Sequence, residues 1–488
     1  MSMLQTITLE NYKCFNDKTK IDIAPLTILC GGNSSGKSSI FKSLLLLKQS
    51  YENSSSTNEL TLNGTYTMNG TMKDLLFNHR GNEFTLNNCF RLHFHSANYK
   101  GQAKQDLISA KEIGKILNMK VNEVSYFDME ISCTIHKGSI NDSNYISKYY
   151  VKVSPFDKDT KLVSNKVFSV TLTYSRRSKY TIELINFPTT SKESISYTFD
   201  NCSCYFSGLR LTNLYYESKN KDILLQDFLV NLYAVCRIAS NQYAGIKYLG
   251  PLRENPDRQY AIYKNTIASV VTGANAPYLL YKEKSKKVDK KILPPSNENN
   301  FFMKQSNKSN TILEIVNAWM QYLELGNIEI KNDENTMQLY ISGSNTSDVG
   351  FGVSQALPIL TEGITMNYEQ TFLVEQPEIH LHPKMQMRIA DFFITLASTN
   401  HKVIVETHSD HIINRILRRT LECEDNSLWS KVSIYFFENT NQGSSIEQIM
   451  IDRVQGIAKC PEGFFRQFAL ETNRIFNAGL DNIGKDNI

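Results

Sequence analysis

The chain opens on alternating apolar and polar positions. Leu4, Ile7 and Leu9 alternate with polar residues, and Ile21 and Ile23 do likewise, so strands with one buried face are predicted at both places. Leu26-Thr27-Ile28-Leu29-Cys30 is a nearly continuous apolar run, the pattern of a strand covered on both sides. Ser38–Lys48, rich in Leu and Ile, reads as a helix. Between 60 and 200 the pattern breaks into many short β-like runs separated by Asn, Ser, Asp and Gly turns: Phe84–Phe94, Val124–Ile135, Tyr149–Val153, Val167–Tyr174 and Tyr180–Ile185. From about 220 to 246 the spacing turns helical, with Ile223, Leu224, Phe228, Leu229, Leu232 and Val235 three and four residues apart. Lys282–Lys291 and the Asn/Ser-rich 295–310 read as a solvated linker, and Thr311–Leu325 as an amphipathic helix. Beyond 327 strand patterns return, and the chain ends in a predicted helical tail with Phe464, Phe465 and Phe468 as packing residues.

This pattern predicts an α/β head assembled from 1–60 and 335–450. Into it are inserted an antiparallel β-rich lobe (60–205) and a helical insertion with a Lys/Asn-rich linker (206–334), and a tail (451–488) closes it. There is no internal repeat and no long heptad run. Composition adds little to this picture. In 488 residues, 53 basic and 49 acidic side chains leave a net charge of +4, too balanced for a dedicated DNA-binding domain although a local basic patch fits within it. The nine cysteines are dispersed with no C-x-x-C pair, which points to reduced thiols instead of a disulfide or zinc framework. The N-terminus lacks a signal-peptide layout and no apolar run is long enough to span a bilayer, so a soluble cytoplasmic protein is expected.

Candidate chemistry starts at Gly31-Gly32-Asn33-Ser34-Ser35-Gly36-Lys37-Ser38, a full G-x-x-x-x-G-K-[ST] match placed after an apolar strand and before a helix. That setting separates it from a Gly/Ser-rich turn that happens to hold a lysine. Glycines let the backbone wrap phosphate oxygens, successive N–H groups from Gly31, Asn33, Ser34, Ser35, Gly36 and Ser39 point inward, and the helix N-terminus adds positive potential. Lys37 is expected to reach the β- and γ-phosphates of ATP, and Ser38 to place its hydroxyl on Mg²⁺.

Such a loop needs an acidic partner at the end of another buried strand. Thr371-Phe372-Leu373-Val374-Glu375 supplies one, continuing into Gln376-Pro377-Glu378-Ile379-His380-Leu381-His382-Pro383. A third buried strand follows, Lys402-Val403-Ile404-Val405-Glu406, and ends in Thr407-His408-Ser409-Asp410. His380 and His382 form either an H-x-H metal pair or a local packing and capping element. Tyr12, Lys13 and Phe15 either flank an adenine or simply pack.

The order of these segments resembles ABC-type ATPases of the RecF, SMC and OLD (overcoming lysogenisation defect) group. Ile7–Phe15 resembles their first strand and turn, and the blocks at 375–383 and 406–409 are similar to OLD-like members. Tyr248–Arg253, Val349–Gln355 and Pro461–Phe465 resemble stand-alone bacterial ATPases of this group, some of which act in phage defence. The resemblance covers 1–50 and 245–470. It implies an ABC-type P-loop ATPase head with a mixed sheet, Glu375 and Ser38 at the Mg²⁺ site, and His408 as the switch histidine near the γ-phosphate. It also implies that Gly352, Ser354 and Gln355 in a signature loop touch ATP held by a second copy, in a head-to-tail dimer.

The chain departs from the common pattern in one place. The usual acid is Asp followed by a Glu base, whereas here Glu375 is followed by Gln376, and an amide orients water without accepting its proton. Unless Glu378 substitutes as the base, slow, switch-like hydrolysis is expected. Only 80 residues follow His408, too few for the nuclease domain of an OLD enzyme, so a separate effector protein is the expected partner. DNA is a further candidate partner. Arg415, Arg418 and Arg419 share roughly one side of a helix, open either to DNA or to surface ion pairs.

Overall fold

The computed structural model describes residues 2–459 except 54–58, 94–103, 121–122, 140–142, 177–178, 192, 217–223, 263–270, 289–291, 296–309, 368–369, 400, 424–427 and 453–455. Two sheets organise it. The six-stranded head sheet runs in the order Ile246–Leu249, Thr371–Glu375, Lys402–Glu406, Leu26–Gly31, Val432–Thr440, Gly443–Gln448. The first five strands are parallel and the last is antiparallel. The central strands are buried along their whole length, as their unbroken apolar runs require. Alternate residues go to opposite cores. Leu29, Leu373, Ile404 and Phe437 face the helix Lys37–Glu52 and the antiparallel lobe. Ile28, Cys30, Phe372, Val374, Val403 and Val405 face the helices Phe351–Ile364, Pro383–Ser398 and Asp410–Glu422. The α/β architecture, mixed sheet and antiparallel lobe expected from the sequence are therefore present.

Boundaries differ from the expected ones. The antiparallel sheet has nine strands, and Ser2–Glu10 and Thr19–Asp22 belong to it, paired to Glu83–His93 and to each other. Residues 2–22 thus join the lobe, because their alternation suits any half-buried sheet and hydrogen bonding across sequence decides which one. The span 206–334 is not wholly helical. It carries Arg210–Tyr215 at the edge of the lobe sheet and Ile246–Leu249 at the edge of the head sheet, alongside the helices Leu224–Asn241, Ala276–Glu283 and Ile312–Tyr322. In the tail, Met450–Asp452 pairs with Gly456–Lys459 as a short antiparallel ladder where helix was expected. Phe464, Phe465, Phe468 and most of the Lys/Asn-rich linker lie outside the described residues. No helix among the described residues is long and apolar enough to cross a membrane.

Lys402 joins the two sheets. Its Nζ, with the residue only 2% exposed, donates to the carbonyls of Ile23, at 2.6 Å, and of Leu4. Burial, and then the Arg91 guanidinium, push its ammonium down to about 7, against small opposing effects of Cys89 and Asp128. A folded value below the unfolded one means that the unfolded chain binds more protons between about pH 7 and 10.5, so stability rises with pH across that window. We expect wild type to gain about 4 kcal/mol relative to Lys402→Met between pH 7 and pH 10.5. Urea unfolding of both chains along that range checks it, and parallel pH profiles would contradict it.

Candidate functional site

The P-loop is shaped by backbone geometry that side chains would block. Gly31 has φ 131°, and a Cβ there would lie 2.1 Å from the Phe437 carbonyl oxygen. Gly36 has φ 97°, and a Cβ would meet the Cys14 thiol at 2.5 Å. Between them Ser34 sits in the left-handed region at φ 57°. Lys37 starts the helix, and its Nζ donates to the carbonyls of Gly31 (3.2 Å) and Gly32 (2.5 Å). Ser35 Oγ also donates to Gly32, at 2.8 Å, closing the loop on itself.

A cavity of about 270 Å³ opens over this loop. Of the residues expected at the nucleotide, Asn33, Ser34, Ser35, Gly36, Lys37, Ser38, Ser39, Gln376 and His408 line it, joined by Cys14 and Glu406. The strand order explains the convergence. The P-loop strand lies beside Lys402–Glu406, which lies beside Thr371–Glu375, all parallel, so their C-terminal ends share one rim.

Several expected residues stand elsewhere. Glu375 does not line the cavity, and its Oε1 accepts from the Tyr248 hydroxyl at 3.0 Å. Burial, and then the neighbouring Glu406, push its carboxyl up to about 7. Glu378 is also outside the cavity. Its Oε2 accepts from Thr407 Oγ1 (2.8 Å) and its Oε1 from the His408 backbone N–H (2.7 Å). With both oxygens engaged, Glu378 pins the turn that carries His408. Burial raises its carboxyl despite those donors. The His408 ring is exposed to the cavity, and partial burial followed by the Lys37 charge lowers its pKa.

Gln376 is held rigidly. Its φ is 44°, its N–H donates to the Glu406 carbonyl at 2.7 Å, and its own carbonyl accepts from Arg253 Nη1 at 3.2 Å. Arg253 is buried and also donates to the Glu375 carbonyl (2.9 Å) and to Gln355 Oε1 (3.0 Å). It therefore ties the helix Phe351–Ile364 to the rim. Within one chain, Gly352, Ser354 and Gln355 do not line the P-loop cavity. Ser354 Oγ donates to the Phe351 carbonyl at 2.7 Å, and the Gln355 side chain is engaged by Arg253. The sequence marks Tyr248 and Arg253 only through the resemblance, and it gives Glu406 no role. The available signal for Glu406 was a second apolar run closing on a carboxylate.

His382 caps the helix Pro383–Ser398 through Nδ1, which accepts from Lys384 N–H at 3.3 Å, and the His380 ring packs on Phe351 at 5.4 Å. No group of three or more His, Cys, Asp or Glu able to hold a metal occurs among the described residues. The Ser38 hydroxyl and a carboxylate at the strand-end rim nevertheless suit a hard, oxygen-liganded cation that takes its other ligands from phosphate and water.

Residues 3–413 match the AAA ATPase domain family. No curated protein matches the chain. Among solved structures, the chain is similar to the SMC head domain from Thermotoga maritima, at 11% identity and TM-score 0.35 over 92% of this chain and 100% of that one. It is similar also to an Smc head domain with an extended coiled coil bound to the C-terminal domain of ScpA, from Pyrococcus furiosus, at 11% identity and TM-score 0.38 over 92% and 96%. An Smc head bound to the C-winged helix domain of ScpA matches at 10% identity and TM-score 0.38 over 93% and 99%. A sequence match running from residue 3 to 413 takes in every residue of the cavity, and the chain belongs to the AAA ATPase domain family.

Proposed function

We propose that the chain binds ATP in the P-loop cavity, hydrolyses it slowly and closes head-to-tail on nucleotide as the ATPase part of a bacterial phage-defence or genome-maintenance assembly controlling a separate effector. The carrying observation is that Lys37, Ser38, His408 and an amide, Gln376, share one cavity. Lys37 and the loop N–H groups would hold the phosphates, and His408 would face the terminal one. Mg²⁺, held by Ser38 and a strand-end carboxylate, would neutralise phosphate charge. Gln376 would orient water without taking its proton. Steady-state phosphate release, with Lys37→Ala as the blank, tests this reading. Turnover above the blank is expected, and wild type indistinguishable from it would overturn hydrolysis. Lys37→Ala should also weaken ATP binding by an order of magnitude or more, through loss of a charge-assisted phosphate contact, measured by fluorescent-nucleotide titration.

Gln376 equally supports a second reading, an ATP-bound scaffold that scarcely hydrolyses; tight ATP binding without turnover selects it. Closure is supported by two apolar side chains beside the loop implied to meet a second copy: Leu252 is 79% and Phe351 58% exposed. We expect Phe351→Asp to abolish an ATP-dependent increase in mass, read by light scattering, while the monomer still binds ATP, at the lower affinity that loss of the linked dimer contact entails. A dimer that survives the charge places the contact elsewhere. The arginines offer DNA little. Arg415 and Arg419 are buried against Asp391, and Arg418 pairs with Glu422.

A further inference from the structure

Two carboxylates end adjacent parallel strands in register, Glu375 opposite Glu406, and the two differ in what they face. Ser38 Oγ, the P-loop hydroxyl, donates to Glu406 Oε1 at 2.8 Å. Glu406 is 3% exposed and lines the cavity, and its other oxygen, Oε2, is buried without a hydrogen-bond partner. Glu375 is turned to Tyr248 and does not line the cavity. A buried carboxylate oxygen with no donor is costly unless a cation or donor meets it. Beside a bound triphosphate the cost grows, because like charges face each other at short range.

We propose that Glu406 is the protein carboxylate that meets the nucleotide's divalent cation together with the Ser38 hydroxyl, while Glu375 supports the site from behind. The inference rests on the ATP-binding reading and goes beyond it by moving the metal role from the expected strand end to its neighbour. Its electrostatic consequence has two opposite signs. Without a divalent cation, Glu406 repels the phosphates and weakens ATP binding. With one, it strengthens binding. Removing its charge while keeping its shape therefore helps metal-free ATP and harms Mg²⁺–ATP.

The test is fluorescent-ATP binding by the full chain in EDTA and in saturating Mg²⁺, for wild type, Glu406→Gln and Glu375→Gln. For Glu406→Gln we expect tighter binding in EDTA, weaker binding in Mg²⁺, and a fall of about tenfold or more in the ratio of the two dissociation constants. The wild-type ratio retained in Glu406→Gln, or lost in Glu375→Gln instead, overturns the inference with ATP binding intact. A wild type that binds ATP under neither condition overturns the nucleotide reading itself, and this inference with it. Should Glu406→Gln not fold, Glu406→Asp carries the test. The charge stays, so metal-free affinity holds, while the shortened reach raises the Mg²⁺ concentration for half-saturation about tenfold; an unchanged half-saturation overturns the proposal.

Discussion

Gln376→Glu is expected to raise ATP turnover about 10²-fold, the size of a typical general-base contribution. The backbone around the position does not depend on the side chain: Gln376 N–H is held by the Glu406 carbonyl and its carbonyl by Arg253. An isosteric carboxylate would thus enter the cavity where the amide now stands. Two further carboxylates, Glu375 and Glu406, end the neighbouring strands. Their charge would raise the new group's pKa, which makes it a better proton acceptor near neutral pH. ATP affinity should change by no more than a few fold if Lys37 and the loop hold the phosphates, as proposed. Phosphate release measured against Lys37→Ala decides the matter. Unchanged or reduced turnover would mean that water is activated by another group or that proton transfer is not limiting.

Arg253 extends the same argument, because it grips both the rim that positions Gln376 and Gln355 on the helix behind the implied signature loop. A shift of that helix would move Gln376, the amide proposed to orient the attacking water. The physical link requires no change at Lys37 or Ser38.

The P-loop is legible in the sequence because its geometry is local. Gly31, Gly36 and Lys37 work through backbone conformations and a helix start that eight consecutive residues specify. The buried strands were readable for the same reason, as continuous apolar runs that only a sheet covered on both faces can hold. Sheet membership was not. Leu4, Ile7 and Leu9 alternate equally well in either sheet, and only pairing with Glu83–His93 assigns them. Ile246–Leu249 is four residues long and follows directly on a helical stretch, so its place beside Thr371–Glu375 is invisible to periodicity. Which of two strand-end carboxylates faces Ser38 depends on strand order, with Lys402–Glu406 lying between the P-loop strand and Thr371–Glu375. The arginine helix shows the same limit. Spacing puts Arg415 and Arg419 on one side, but what that side meets is decided by Asp391, a charge set inside the apolar run Ile389–Leu396.

That aspartate carries the largest expected stability effect. Asp391 is fully buried and receives Arg415 Nε and Nη2, the latter at 2.7 Å, Arg419 Nε at 3.0 Å and the Tyr322 hydroxyl at 2.7 Å. It clamps Pro383–Ser398 to Asp410–Glu422, and through Tyr322 to the helix Ile312–Tyr322. Asp391→Asn keeps the shape but removes the one anion between two buried guanidiniums. Arg419 retains Glu422 at 2.9 Å, whereas Arg415 is left without an anionic partner among the described residues. Breaking a buried pair from one side costs about 3–5 kcal/mol, a large share of the stability of most domains. Urea unfolding should show the midpoint falling accordingly, with the slope unchanged if the same surface is exposed. The apolar triple replacement Asp391→Leu, Arg415→Met, Arg419→Met should recover much of that loss, since it removes the charges together with their desolvation cost. A wild-type midpoint in Asp391→Asn would mean that water already screens the cluster. A triple variant weaker than Asp391→Asn would show that the ion pairs fasten these helices more strongly than apolar packing can.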